Sequence, residues 1–162
     1  MVVKKSPIQS ILLDDNIGKI SILEVPDKPG IASTLFSLLA AADIQIQMIV
    51  QNVNRQNVND ISFIVDADTM ENAVATAQKF AFEVNAQKVV YDKSIAKLSV
   101  IGSGLVTSTA VIATFFEALS EIGVNIQMIS TSEVMVSCII DKAQSKEAIK
   151  YVYKKFEGKP GR

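Results

Sequence analysis

The tetrapeptide Ile-Gln-Met-Ile stands twice in this sequence, at Ile46–Ile49 and at Ile126–Ile129, 80 residues apart in a chain of 162. A repeat at half the chain length constrains the fold more than any composition figure, because it implies two copies of one small unit. The flanks extend the match. "KISIL" (Lys19–Leu23) aligns with "KLSVI" (Lys97–Ile101), and each is followed by a turn rich in Gly, Pro or Thr. A helical pattern comes next in both copies. Near Pro29 to Ala42 the apolar face is Ile31, Leu35, Leu38, Leu39 and Ala42; near Thr109 to Ile122 it is Val111, Ile112, Phe115, Phe116, Leu119 and Ile122. That spacing is the one a helix lying on a sheet requires. A short polar turn (Ala42-Asp43; Gly123) leads into the duplicated strand, read as Ile44–Val50 and Val124–Ser130. Another strand follows, "DISFIVD" or "VMVSCIID", and a second helix closes each copy. Its apolar positions are Met70, Ala73, Val74, Ala77, Phe80 and Val84 in one, and Ala148, Ile149, Val152, Tyr153 and Phe156 in the other.

The copies differ at their ends. Copy one finishes with a strand, "QKVVYD" (Gln87–Asp92), whereas copy two runs out after Phe156 into the polar "EGKPGR". An unassigned strand, "IQSILLD" (Ile8–Asp14), stands before copy one. The simplest repair places Ile8–Asp14 in the vacant position of copy two, so that copy one is inserted within copy two. A free leader would leave Ile8, Ile11, Leu12 and Leu13 in water, which is costly. The sequence therefore predicts an α+β chain of two ferredoxin-like βαββαβ domains, each an antiparallel sheet with both helices on one face. The expected boundaries are 15–92 for the first domain, and 93–157 plus the strand 8–14 for the second. Small sheets leave edges that invite pairing, so assembly into a dimer is expected.

Composition narrows the chemistry. The chain has no histidine and one cysteine, Cys138. That removes Ser-His and Cys-His catalysis, any internal disulfide and the commonest zinc ligand. Cys138 sits in the apolar run "VSCII" and reads as a buried core thiol. A net charge of −1 favours neither nucleic acid nor an anionic membrane. No apolar run approaches the length of a signal peptide or a membrane span, so the chain reads as cytoplasmic. "GSG" (Gly102–Gly104) resembles part of a dinucleotide loop but lacks the third glycine and a parallel βαβ context. Met48 and Met128 read as core packing, and "YKKFEGKPGR" as a solvated helix end. No cofactor and no metal site is expected.

The most informative turn is "VPDKPGIA", Val25–Ala32, between the first strand and first helix. Pro29 suits a first helical turn, and Asp27 stands where a cap or near-cap would. Gly30 lets a ligand approach the exposed N–H groups of that turn. Such N–H groups suit a carboxylate, and Asp27 suits an ammonium; a zwitterionic amino acid carries both. The same residues also make an ordinary turn and helix start. Gln51, Asn125, Thr131 and Ser132, at strand ends, are further polar candidates.

The stretches "DKPG", "MIVQNV" and "VNIQMISTSE", within a tandem order covering about Ile8 to Phe156, closely resemble the paired ACT domains at the C-terminal end of aspartate kinases. The resemblance implies that an end-product amino acid, threonine or lysine, binds at an ACT–ACT interface, between the first domain of one chain and the second of its partner. It implies effector contacts from Asp27, Lys28, Pro29, Gly30, Ile31 and Ala32 in the loop. Gln51 would come from the first repeated strand, and Asn125, Ile126, Thr131 and Ser132 from the second copy. It further implies a homodimer through the ACT domains, a catalytic chain of aspartate kinase as partner, and feedback inhibition by population shift. On this reading the chain itself is not an enzyme. Where relatives have Pro-Gly in the second copy's loop, this chain has Thr109-Ala110, so an effector site there is not expected. Two other readings remain: an ACT-type sensor serving another enzyme of amino-acid metabolism, and a small enzyme on a ferredoxin-like fold.

Overall fold

Alternating apolar residues put one face of each strand against helices, and the resulting sheets close two separate cores. A computed structural model of the chain describes residues 8–53, 56–103 and 108–157. In chain order the elements are β1 (Ile8–Asp14), β2 (Ile17–Pro26), α1 (Ile31–Ala41), β3 (Met48–Val53), β4 (Val58–Asp66), α2 (Met70–Val84), β5 (Lys88–Asp92), β6 (Ile95–Gly102), α3 (Thr109–Glu121), β7 (Ile126–Thr131), β8 (Met135–Asp141) and α4 (Ser145–Glu157). A single 3₁₀ turn leads into α2 and another into α4. The chain divides into one unit from Asn16 to Lys93 and another made of the segment ending at Asp15 with the segment starting at Ser94.

In the Asn16–Lys93 unit the antiparallel sheet has the order β3-β4-β2-β5. Ile20, Ile22, Ile61, Phe63 and Val65 form one core with Leu35 and Leu39 of α1 and Ala73, Ala77 and Phe80 of α2. Gly18 lies at the start of β2 against α2, where a Cβ would overlap the Met70 sulfur. The other unit has the order β1-β6-β8-β7, also antiparallel throughout. Ile11, Leu98, Val100, Val136, Cys138 and Ile140 meet Phe115 and Leu119 of α3 and Ala148 and Val152 of α4.

The orphan strand therefore fills the vacant place: β1 pairs with β6 as β5 pairs with β2. The register shows how closely the two edges correspond. Lys19 stands opposite Asp92 in one sheet, and Lys97 opposite Asp14 in the other. On the faces away from the helices, Val90–Ser21–Ser62–Val50 forms a row across one sheet and Leu12–Ser99–Ser137–Ser130 across the other. The central serines of each row share a hydrogen bond, with Oγ···Oγ of 2.7 Å in both. Tyr153 of α4 donates from its hydroxyl to the Ile11 carbonyl at 3.2 Å and pins β1 to the helix layer.

The repeated tetrapeptide has a second role beyond packing. Met48 and Met128 are buried, as a core reading requires. Gln47 and Gln127 each donate through Nε2 to the aspartate that ends the following strand, Asp66 and Asp141 respectively, the latter at 2.8 Å. The strand itself starts later than the sequence suggests in both copies, at Met48 and at Ile126. Each turn holds a left-handed residue, Asp43 (φ 55°) or Gly123 (φ 68°), and the next amide bonds back to the preceding helix, Ile44 to Leu39 and Val124 to Leu119, before ladder pairing begins.

Candidate functional site

The loop after β2 is built by distortion of that strand. A register shift between Ile22 and Val25 leaves Glu24 at φ 53°, and its N–H donates to Asp60 Oδ1 at 2.9 Å. Beyond Pro26 the Asp27 N–H donates to the Asn57 carbonyl at 2.9 Å, which ties the loop to the start of β4. The Asp27 carboxylate accepts from Asn59 Nδ2 at 3.1 Å. It does not cap α1, contrary to the expectation from its spacing, because this bond turns it toward β4. Pro29 likewise precedes the helix. Gly30 is the cap, at φ 92°, a left-handed conformation that glycine adopts without steric penalty.

Helix α1 thus begins with no side-chain cap. The Ile31 N–H bonds weakly to the Lys28 carbonyl at 3.3 Å, and the Gly30 carbonyl accepts from both Thr34 N–H (2.9 Å) and Thr34 Oγ1 (3.1 Å). No described residue accepts from the Ala32 or Ser33 amides. Asp27, Lys28, Pro29, Gly30 and Ala32 are exposed, and Ile31 is half-buried. A first helical turn with open N–H groups attracts an anionic group. A carboxylate one turn before it supplies the opposite charge. The loop is chemically complementary to a small molecule carrying both a carboxylate and an ammonium.

Gln51 lies on the neighbouring edge strand β3, in register with Ile61 and so on the helix side of the sheet. It is exposed, two residues before Val53, which pairs with Asn59. The sheet therefore brings Gln51 toward the end of the sheet that carries the loop.

The four candidates of copy two do not converge among themselves. Asn125 and Ile126 stand at the start of β7, and Thr131 and Ser132 at its end. A strand advances ~3.3 Å per residue, so the two pairs are separated by about 17–20 Å, more than one amino acid spans. Asn125, Thr131 and Ser132 are exposed and Ile126 is half-buried. Ser132 closes the β7–β8 turn, donating its N–H to the Met135 carbonyl at 2.8 Å. Thr109 and Ala110 open α3 behind Ser108. Gly104 lies outside the described residues.

Asn59 was not legible as a site residue. It occupies the parity of Ile61, Phe63 and Val65, the core side of β4, yet carries an amide and is only 4% exposed. Its Oδ1 is buried without a hydrogen-bond partner among the described residues. A polar residue at a core-parity position next to the candidate loop was the available signal.

Elsewhere the titratable groups have structural surroundings. Burial pushes the Cys138 thiol up to about 12, which keeps it protonated and inert. Glu121 of α3 accepts from the Tyr151 hydroxyl at 2.7 Å and from Lys155, joining α3 to α4; these hydrogen bonds raise the pKa of both donors. Among the described residues no cluster of three His, Cys, Asp or Glu could hold a metal, and no helix is long and apolar enough to cross a membrane.

Residues 23–79 and 98–156 each match the ACT domain family. The aspartate kinase Ask_LysC of Stutzerimonas stutzeri is 37% identical over 150 residues, which cover 93% of this chain and 36% of that protein. The chain thus spans about a third of the length of the curated relatives it matches. Among solved structures, the ligand-free regulatory subunit of aspartate kinase from Thermus thermophilus superposes with a TM-score of 0.88 at 32% identity, covering 93% of this chain and 99% of that one. A chain from a structure of aspartokinase alpha and beta subunits gives 0.85 at 33% identity, with the same coverage.

Proposed function

Because the chain belongs to the ACT-domain family, as a tandem pair of the aspartate kinase regulatory type, we propose that it is a sensor that binds an end-product amino acid, threonine or lysine or both, and passes that signal to a catalytic aspartate kinase chain. The observation that carries the reading is the start of α1. The Ala32 and Ser33 amides, which have no acceptor among the described residues, belong to exposed residues within a few positions of the Asp27 carboxylate, a pairing suited to the two charged groups of a free amino acid. Gln51 supplies a further donor or acceptor from β3. In a homodimer, the opposing wall comes from β7 of a second protomer. Only one end of that strand, Asn125–Ile126 or Thr131–Ser132, touches a given ligand, because the two ends lie too far apart. Control of the catalytic chain follows if the amino acid binds one arrangement of the assembly better than another. The similarity to solved regulatory subunits favours this over a sensor for another enzyme or a small enzyme in its own right.

Calorimetric titration of the purified chain with threonine, with lysine, and with each in the presence of the other tests the reading. Saturable binding that is weakened but still measurable in Asp27→Ala supports it. Binding by neither, in a folded protein, refutes it. Alanine substitution at Asn125 and at Thr131 separately identifies the contributing end of β7: one weakens binding and the other does not.

A further inference from the structure

We infer that Asn59 is a positioning residue for the effector loop, holding the Asp27 carboxylate toward the ligand at a cost to the stability of the fold. The inference rests on the sensor reading above and adds a residue to it.

An ionised carboxylate only accepts hydrogen bonds, so Asn59 must present Nδ2 to Asp27, as it does at 3.1 Å. Oδ1 is then the end left over, and it is buried with no partner among the described residues. A buried acceptor without a partner is destabilising, whereas an apolar side chain of similar shape in the same place is not. Asn59 also shares its face of β4 with Ile61, Phe63 and Val65, where a hydrophobic residue would pack without penalty. Packing alone does not explain an amide here. What the amide does is fix an exposed carboxylate that otherwise rotates freely in water.

The neighbours restrain the backbone but leave this task to Asn59. The Asn57 carbonyl holds the Asp27 N–H, and the Asp60 carboxylate holds the Glu24 N–H. Neither of these bonds involves the Asp27 side chain. Asn59 alone among the described residues makes a hydrogen bond to that carboxylate.

The test is Asn59→Leu in the whole chain, with Asn59→Ala as a second variant should the larger side chain prevent folding. Both are read by calorimetric titration with threonine and lysine and by thermal unfolding without ligand. The expected result is an affinity about tenfold weaker, the loss of one oriented charge-assisted contact, with a melting temperature equal to or above the parent for Asn59→Leu. In an Asp27→Ala background the Asn59 substitution should cause no further loss of affinity, because the residue acts through Asp27. Unchanged affinity in Asn59→Leu overturns the inference. So does weaker binding that comes with a lower melting temperature and persists in Asp27→Ala, since that describes a residue needed only for folding. If the unsubstituted chain binds neither amino acid, the sensor reading fails first and takes this assignment with it. If it binds and the variants bind equally, only the assignment of Asn59 falls.

Discussion

Gly18 and Met70 form a volume-matched pair whose coupling can be measured. A Cβ at Gly18 would overlap the Met70 sulfur and lie 2.9 Å from its Cε and 3.3 Å from its Cγ. Met70 is 1% exposed, so its side chain has little free space to move into. Overpacking of this kind costs roughly 1–3 kcal/mol. Gly18 does not have a positive φ, so alanine is sterically allowed there and recovers about 0.5–1 kcal/mol by restricting the unfolded chain. The balance for Gly18→Ala is a loss of about 0–2.5 kcal/mol, centred near 1. For a unit of this size a loss of about 1 kcal/mol lowers the melting temperature by roughly 4–8 °C. Met70→Ala alone opens a cavity and costs about 2–5 kcal/mol. In that background the added methyl meets empty space, and Gly18→Ala should become neutral or stabilising. Urea unfolding of the four proteins, followed by circular dichroism, gives the cycle. An equal loss from Gly18→Ala in both backgrounds would refute the argument, because the cost would then not arise from contact with Met70.

Two further outcomes are expected. Tyr153→Phe removes the hydroxyl that bonds the Ile11 carbonyl, and should lower stability by about 0.5–1.5 kcal/mol in urea unfolding without altering amino-acid binding. Burial raises the Cys138 thiol from its ordinary 9.0 to about 12. Its contribution to stability is complete below pH 9 and is lost as pH rises toward 12, because the unfolded chain ionises first. The slope is about −1.4 kcal/mol per pH unit. The slope from Tyr151 and Lys155, whose pKa values are also raised, is common to both proteins, so the stability difference between the parent and Cys138→Ala should change by about that slope between pH 9 and 11.

The duplicated tetrapeptide exposed the architecture because a sheet row is written into the sequence at fixed parity. The serines at 21, 62, 99 and 137 and the aspartates closing β1 and β5 hold equivalent places in the two sheets, and the missing strand could be supplied from the other end of the chain because copy two lacked one and the apolar residues of Ile8–Asp14 needed burial. Local geometry was harder to read. Asp27 looks like a helix cap from its spacing alone, but its partner, Asn59, stands 32 residues away. Long-range hydrogen bonding of that kind has no periodic signature. The late start of β3 was also hidden: Ile44 to Gln47 carry strand-forming residues, yet the Ile44 amide bonds back to Leu39 of α1 and pairing with β4 begins only at Met48. The candidate loop was recognisable by its residue types, while the two ends of β7 looked equivalent until the strand set a distance between them.

The interrupted path of the second sheet has a consequence for the order of assembly. During synthesis, β1 emerges long before its partner β6 and must wait through the whole of the segment from Asn16 to Lys93. That segment holds every strand of its own sheet, and its first and last strands are neighbours, with Lys19 beside Asp92. Once it has folded, its two ends leave from adjacent strands, so β1 and β6 are delivered to each other by a finished clasp instead of across an open chain of some eighty residues. The entropy of closing that loop, which grows with the logarithm of its length, then falls on the folding of the inserted unit, whose strands close a sheet and a core of their own.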